Sequence, residues 1–188
     1  MEILNINNRQ DFRKWLIDNS TNINECWLVI QKCNPNMQNN NTINYLDAVE
    51  EALCFGWIDG IHKTVTNIGH LQRFSPRKNN SYWSELNKER CKRLDKLGLM
   101  TEQGRKALSY AKPFVISEDI MQLFCNDAEL KSKFDSFPLL YQRVRISNIQ
   151  RHQNNTEVYN RIIHYFIMKT KQGKMYGQWN DYGRLIDY

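Results

Sequence analysis

The chain has 188 residues, 41% of them hydrophobic and 24% charged, and its net charge is +6. A chain of this length with 12% aromatic residues can bury a core without disulfide or metal staples, which argues against a disordered protein. Its longest apolar runs, 27–30 and 162–168, fall well short of the roughly 18 residues that span a bilayer, so we expect no transmembrane anchor. The amino terminus lacks the continuous apolar segment of a secretory signal, and the expected location is the cytoplasm.

In chain order, the first part of the sequence predicts two helices and three strands. The helices follow from apolar residues spaced three and four apart, and the strands from β-branched and aromatic runs that Asn, Pro or Gly end. The predicted elements are a helix over 9–19 capped by Asn8, a strand over 26–32, a loop over 34–41, a helix that Asn44 caps and that stops near Gly56, and strands over 57–66 and 70–75. Glu50 and Glu51 follow the cap of the second helix and are interpreted as partners of its dipole.

From residue 80 onward, every periodic segment predicts a helix. The predictions are a helix after Asn80 or Ser81 that stops at Gly98, one that Thr101 caps and Pro113 ends, and four more around 118–125, 127–135, 138–150 and 156–170. The aromatic tail is expected to pack on the body as an irregular strap. The fold class is therefore α+β, a small antiparallel sheet of about three strands packed with helices. Predicted domain bounds are 1–112 for this part, 113–172 for a helical module and 173–188 for the tail.

Positive charge is concentrated in two segments. Residues 62–96 contain nine Lys or Arg and three Asp or Glu, and residues 141–184 contain eight and two. The rest of the chain therefore sums to −6. The two segments form an anion-binding face if they meet in space, and two solvated helix faces if they do not. The sequence leaves both possibilities open.

Several sequence blocks occur in an order that resembles one family. The blocks are AVEEALCFGWID at 48–59, QRFSPRK at 72–78, Trp83-Ser84 and Asn87-Lys88. This succession resembles the YdeI/OmpD-associated family, also called bacteriocin-protection proteins, over most of 10–110, and 115–172 resembles that family's helical module. The resemblance implies a bacterial stress-response protein linked to tolerance of bacteriocins or cationic antimicrobial peptides. It implies no catalytic residues and no cofactor.

Within these blocks, the strongest candidate ligand site is the group Asp59, Arg73, Arg77, Trp83 and Asn87. Two arginines at the end of a hairpin and the start of a helix would suit a phosphate or carboxylate, because guanidinium groups and helix N-termini both bind anions. Trp83 would add a stacking face. The alternative is that Asp59 and Arg73 form a structural ion pair across the sheet and that Trp83 belongs to the core.

Other reactive side chains have simpler interpretations. The five cysteines are an odd number without metal-ligand spacing, and Cys54 lies between Leu and Phe, which indicates a buried inert thiol rather than a nucleophile activated by His62. His62 and His70 could meet across the hairpin, but two histidines make a weak metal site, so no metal is expected. Phosphate-loop, dinucleotide-binding, zinc-protease and serine-hydrolase motifs are absent from the sequence.

Three functions remain in competition. The first is a non-enzymatic cytoplasmic binding protein in antimicrobial tolerance, whose arginine pocket holds a small anionic molecule or a peptide carboxylate. The second is a nucleic-acid or anionic-surface binder that uses the two basic segments, with Tyr82, Trp83 and Trp179 available for stacking. The third is an enzyme with Asp59 as acid or base beside Arg73 and Arg77. An enzyme is the less favoured reading, since no substrate follows from the sequence.

Overall fold

The computed structural model describes residues 3–31 and 42–188, so the predicted loop over 34–41 lies outside the described residues. The chain divides into two compact units. The first comprises the described residues up to 82, residues 88–111 and residue 188, and the second comprises 83–87 and 112–187. Independent domains over 1–112 and 113–172 stay a prediction.

The first unit contains the sheet. Its elements are β1 (Ile3–Leu4), α1 (Arg9–Asn19), β2 (Cys26–Gln31), β3 (Ile43–Asn44), α2 (Tyr45–Cys54), β4 (Trp57–Val65), β5 (Gly69–Pro76), most of α3 (Glu85–Lys96) and α4 (Glu102–Ser109). Three predicted caps are confirmed: the side chains of Asn8, Asn44 and Thr101 accept hydrogen bonds from backbone N–H groups at 3.0, 2.9 and 3.2 Å. Each cap satisfies a donor that the first helical turn leaves unpaired.

The α+β class is confirmed, with a larger and mixed sheet. In the described part of the chain the sheet has five strands in the order β1-β2-β5-β4, with β3 also on β2. The predicted antiparallel strands are β2, β5 and β4. The two additional strands, β1 and β3, pair parallel with β2 at Trp27–Leu28 and at Ile30–Gln31. At two residues each they are too short to produce a periodic pattern in the sequence.

Aromatic side chains pack α1 against the sheet. Phe12 lies 5.6 Å from Phe74 of β5 between ring centroids, and Trp15 meets Trp57 of β4 edge to face at 6.0 Å. Phe12, Phe74 and Trp57 are completely buried. Burying side chains of this size stabilises the fold by about 1.5–3 kcal/mol each, so these contacts fix α1 on this face.

Helix α4 approaches the end of α2 very closely. The backbone N–H and the hydroxyl of Thr101 both donate to the carbonyl oxygen of Cys54, at 3.1 and 2.6 Å. Gly104, one turn further along, leaves no room for a side chain, since a Cβ atom there would lie 2.7 Å from the carbonyl carbon of Cys54. A glycine at this position is therefore a requirement of the packing.

The second unit is helical, as predicted. Its helices are α5 (Glu118–Asn126), α6 (Ala128–Asp135), α7 (Leu139–Gln150) and α8 (Thr156–Lys171). Their core is aromatic, with Phe134 within 5.1–5.3 Å of the rings of Phe124 and Phe166. The tail up to 187 contains no helix or strand, and its Tyr176 and Trp179 pack against this core.

One predicted helix begins later than expected. Helix α3 starts at Glu85, whereas the sequence indicated a cap at Asn80 or Ser81. The hydroxyl of Ser84 accepts a hydrogen bond from the N–H of Asn87 at 3.2 Å and so caps the first turn. Several polar residues here are equally good caps, and the local sequence does not choose among them. In residues 3–31 and 42–188, no helix combines the length and the apolarity needed to cross a bilayer.

Candidate anion-binding site

The sheet separates two residues of the ligand site that the sequence predicts. Asp59 pairs with Phe74 across β4 and β5, and Arg73 is the residue next to Phe74. Because paired residues share a face and consecutive residues alternate, Asp59 and Arg73 project from opposite faces of the sheet. Asp59 accepts a hydrogen bond from the hydroxyl of Tyr45 at 2.7 Å, and Arg73 binds the carboxylate of Glu25 at 2.7 Å. The two side chains therefore form neither a shared site nor the alternative ion pair.

The other three members of the predicted group lie in different units. Arg77 directly follows β5, and its guanidinium donates to the carbonyl of Tyr82 at 2.8 Å and lines a small cavity of about 140 Å³. Burial lowers the pKa of Arg77 to about 10. Trp83, which is buried, and Asn87 belong to the second unit. Ligand binding by this group stays a prediction.

The cysteine and the two histidines that the sequence analysis considered as reactive groups lie in environments typical of structural residues. Cys54 is completely buried, and this burial raises the pKa of its thiol to about 11, which keeps it protonated. The rings of His62 and His70 stack at 5.4 Å, and Nδ1 of His70 lies 3.1 Å from the hydroxyl of Thr64. Across the described residues, no group of three or more His, Cys, Asp or Glu side chains is arranged to hold a metal ion.

Glu50 and Glu51 have a role that the sequence did not indicate. Both are buried, with 0% and 2% of their surface exposed, and they bind arginines rather than the helix dipole. Arg9 contacts Glu51 at 2.6 Å and Glu50 at 3.2 Å. Arg13 contacts Glu51 at 2.8 Å, and Arg93 contacts Glu50 at 3.1 Å. The dipole interpretation is therefore wrong, and this ion-pair network joins α1, α2 and α3.

A larger cavity, of about 520 Å³, lies within the helical unit. It is bordered by α7 and the residues after it, by α8 and by the tail. The lining residues are Arg145, Asn148, Ile149, Arg151, His152, Arg161, Ile162, Tyr165 and Tyr176. Three of them are arginines and none is Asp or Glu, so the formal charge of the lining is +3 with histidine neutral. This cavity is the strongest candidate for a functional site.

Helix periodicity brings the lining of α7 together. Arg145, Asn148, Ile149 and His152 recur at i, i+3, i+4 and i+7, which places them along one stripe that continues past the end of the helix at Gln150. On α8, the lining residues span about one turn from position 161 to 165. Two such stripes on consecutive helices can form the opposite walls of a cavity.

Arg145 is the most unusual member of the lining because its charge is buried without an acidic partner. Only 7% of its surface is exposed, yet no carboxylate within the described residues forms an ion pair with it. Its Nη2 donates to the carbonyl of Tyr176, and the guanidinium lies 3.9 Å from the ring centroid of Tyr176 and 5.3 Å from that of Tyr141. Its Nε is buried and makes no hydrogen bond to the protein.

An uncompensated buried charge of this kind is costly. Removing one ion from water costs several kcal/mol, and aromatic contacts return about 2 kcal/mol when they are desolvated. A buried donor with no acceptor adds about 1–3 kcal/mol. The environment of Arg145 is therefore one that an anion in the cavity would stabilise.

Tyr176 contributes a second buried donor to the cavity. Its hydroxyl makes no hydrogen bond to the protein, and burial raises the pKa of Tyr176 to about 12, so the hydroxyl keeps its proton. Arg161 is exposed and forms no ion pair with any described residue. The cavity thus combines a buried guanidinium, a phenol and an unpaired surface arginine, and each of these groups has an N–H or O–H that can donate a hydrogen bond to a ligand.

The sequence indicates only part of this site. All three arginines of the lining fall in the basic segment 141–184, for which an anion-binding face and a solvated helix face were both open. The stripe of polar residues on α7, interrupted by the apolar Ile149, was the signal that could have indicated a polar cavity. It does not identify the second wall, because that depends on how α7 and α8 pack.

Comparisons with known proteins give a family for the first unit. The family model that matches is described as Domain of unknown function (DUF8412), and it covers residues 4–107. This match overturns the resemblance to the YdeI/OmpD-associated family, and the expected role in bacteriocin tolerance stays a prediction. No curated protein and no solved structure matches the chain. The cavity of the helical unit lies outside the matched residues. Since the match covers more than half of its length, the chain belongs to the family defined by DUF8412.

Proposed function

We propose that this protein binds a small anionic ligand, with at least two negative charges, in the cavity lined by α7, α8 and the tail. The observation that carries the proposal is Arg145, a buried guanidinium without a carboxylate partner in the described part of the chain. Buried charges in proteins are normally paired, so an unpaired one that lines a cavity supports binding of the opposite charge there.

The remaining lining supports the same ligand chemistry. Arginine presents planar pairs of N–H donors that match the oxygens of phosphate and carboxylate groups. Arg145 and Arg161 share one cavity and repel each other, and an anion of two charges would offset that repulsion. No carboxylate or thiol lines the cavity, and we assign no catalytic role to its His152, so we propose binding as the function of this site.

Binding to nucleic acid or to an anionic surface is a second candidate because of the two basic segments. Several cations of the first segment are already engaged: Arg73 binds Glu25, and Arg93 binds Glu50. Trp83, which was a candidate for base stacking, is buried. These contacts favour the cavity of the helical unit over an extended surface, so the small ligand is our first candidate.

The test measures binding of inorganic pyrophosphate to the full chain by isothermal titration calorimetry. Replacing an exposed lining arginine, Arg161→Gln, should weaken binding by about 10-fold to 100-fold, since a hydrogen bond to a charged group contributes roughly 1.5–3 kcal/mol. Lys133→Gln is the matched control, because Lys133 is an exposed cation of the same unit that does not line the cavity. It should change affinity less than 2-fold.

Two results would count against the proposal. The first is the absence of pyrophosphate binding at millimolar concentration and low salt. The second is an equal loss of affinity in the two variants, which would indicate a diffuse effect of net charge. Titration with duplex DNA under the same conditions separates the second candidate, because surface binding should weaken steeply as salt is added.

We also infer that the protein works in the reducing environment of the cytoplasm. Cys54, Cys91 and Cys125 are free thiols, and the first two are buried. Free thiols persist where glutathione and thioredoxin keep cysteines reduced. Fractionation of the source cells with an antibody to the chain tests this inference, and recovery outside the cytoplasmic fraction would contradict it.

A further inference from the structure

The cavity of the helical unit has an apolar side as well as a cationic one. Ile149, Ile162, Tyr165 and Tyr176 line it together with the three arginines. Small-molecule sites commonly combine apolar walls, which bind the body of a ligand, with a few polar groups that fix its orientation. Because apolar residues and arginines line the same cavity, we expect a ligand that carries an apolar part next to its negative charge.

Two tyrosines give the apolar side a particular shape. The ring centroids of Tyr165 and Tyr176 are 4.9 Å apart, and the ring planes meet at 87°. Beside this edge-to-face contact the two rings form a corner, in which a flat ring would stack on the exposed part of Tyr165 and point its edge toward Tyr176, whose ring already has the guanidinium of Arg145 over one face. Both arrangements are favourable for aromatic rings. Tyr165 is 42% exposed, so part of its ring is accessible to a ligand.

The size of the cavity also exceeds what a bare anion needs. Its volume of about 520 Å³ equals that of roughly 17 water molecules at ~30 Å³ each. It falls within the range of roughly 300–1,000 Å³ that is typical of sites for organic small molecules. A single phosphate group in contact with the arginines would leave most of this volume to the rest of the ligand.

From these features we infer that the ligand is a phosphate ester that carries a planar aromatic ring, of the size and chemistry of a nucleoside monophosphate. Its phosphate binds on the side of Arg145 and Arg161, and its ring occupies the corner between Tyr165 and Tyr176. This inference rests on the proposed function, since it specifies the ligand of the same cavity. A lipid headgroup shares the phosphate but not the flat ring.

The experiment compares three probes by calorimetry on the full chain: adenosine 5′-monophosphate, ribose 5-phosphate and adenosine. We expect the nucleotide to bind about 5-fold to 100-fold more tightly than ribose 5-phosphate, which is the range that base stacking on an aromatic side chain gives. Adenosine should bind more weakly than the nucleotide, because it lacks the phosphate that the arginines recognise.

Substitution of Tyr165 then tests whether the ring of the nucleotide stacks in the corner between Tyr165 and Tyr176. Tyr165→Leu should weaken binding of the nucleotide at least 5-fold and leave ribose 5-phosphate within 2-fold, whereas Tyr165→Phe should keep the affinity of the wild type. Tyr110→Leu is the matched control, because Tyr110 is also 42% exposed and lies in the first unit. It should bind the nucleotide as the wild type does.

The outcomes distinguish this inference from the proposed function. Equal affinity for the nucleotide and ribose 5-phosphate would overturn the aromatic ligand and leave the anion site intact. Loss of ribose 5-phosphate binding in Tyr165→Leu, with normal binding in Tyr165→Phe, would show that the residue supports the fold of the cavity and would also overturn it. If none of the phosphates binds, the proposed function fails, and this inference fails with it.

Discussion

Replacement of Glu51 by glutamine should destabilise the first unit strongly. The carboxylate of Glu51 is 2% exposed and receives hydrogen bonds from Nε of Arg9 at 2.8 Å and from Nη1 of Arg13 at 2.8 Å, on different oxygens. In Glu51→Gln, one of these oxygens becomes an NH₂ group that faces a guanidinium, and the negative charge is lost. Breaking a buried ion pair costs about 3–5 kcal/mol. The lower end applies, because Arg9 and Arg13 keep 27% and 29% of their surface in water.

A loss of about 3 kcal/mol corresponds to a decrease in Tm of about 6–12 °C for a chain of this size. The control is Asp95→Asn, which removes the same charge from an exposed pair: Asp95 contacts Arg105 at 2.7 Å, and both side chains are about half exposed. An exposed pair contributes at most about 1 kcal/mol, so this Tm should fall by less than about 4 °C. Thermal unfolding followed by circular dichroism provides the measurement. Equal decreases in the two variants would refute the argument that burial makes the Glu51 network strong.

Three further outcomes are expected. Gly177→Ala should lower the free energy of unfolding by about 1–2 kcal/mol in urea denaturation. The reason is that φ is +69° at this position and the new Cβ would lie 2.8 Å from Nη2 of Arg145. Unchanged stability would contradict this close approach. The hydrogen bond to Lys171 lowers the pKa of Asp127, so Asp127 stabilises the fold above the unfolded pKa of about 3.9 and loses this effect as the pH falls further. Denaturation of Asp127→Asn should therefore show a deficit at pH 7 that disappears near pH 2, and a deficit independent of pH would be inconsistent with it. Iodoacetamide at pH 8 should leave Cys54 unmodified in the folded chain and modify it in urea. Mass spectrometry of peptides measures the modification. Rapid modification of Cys54 in the folded chain would exclude a buried, protonated thiol.

Local signals explain which parts of the fold could be predicted from the sequence. Asn8, Asn44 and Thr101 are caps whose effect depends on residues two or three positions away, and the sequence identified each of them. The strands β1 and β3 escaped prediction because two residues carry no periodicity and their pairing depends on β2, which is distant in the chain. Local information was sufficient to predict that the helices exist, but not to place the start of α3 or to find the short parallel strands.

The errors about function have the same origin. The charge partners of Glu50 and Glu51 lie about 40 residues away in sequence, and nothing in the helix itself indicates that its carboxylates are buried. Asp59 and Arg73 were grouped because both lie on the hairpin, but the alternation of side chains along paired strands places them on opposite faces. Conversely, Arg145 was counted as one of many basic residues, since the sequence does not show that it is buried.

The tight fit of Gly104 also limits which sequences this fold accepts. The contact between α4 and the end of α2 is set by two hydrogen bonds from Thr101 to one carbonyl oxygen, and these hold the backbones at a spacing that excludes even a methyl group. In a library of random variants, functional clones should retain glycine at position 104 while they vary freely at the solvent-facing positions of α4. The first unit thus depends on a direct contact between two backbone segments, and this contact restricts how the sequence can change at a position that has no side chain.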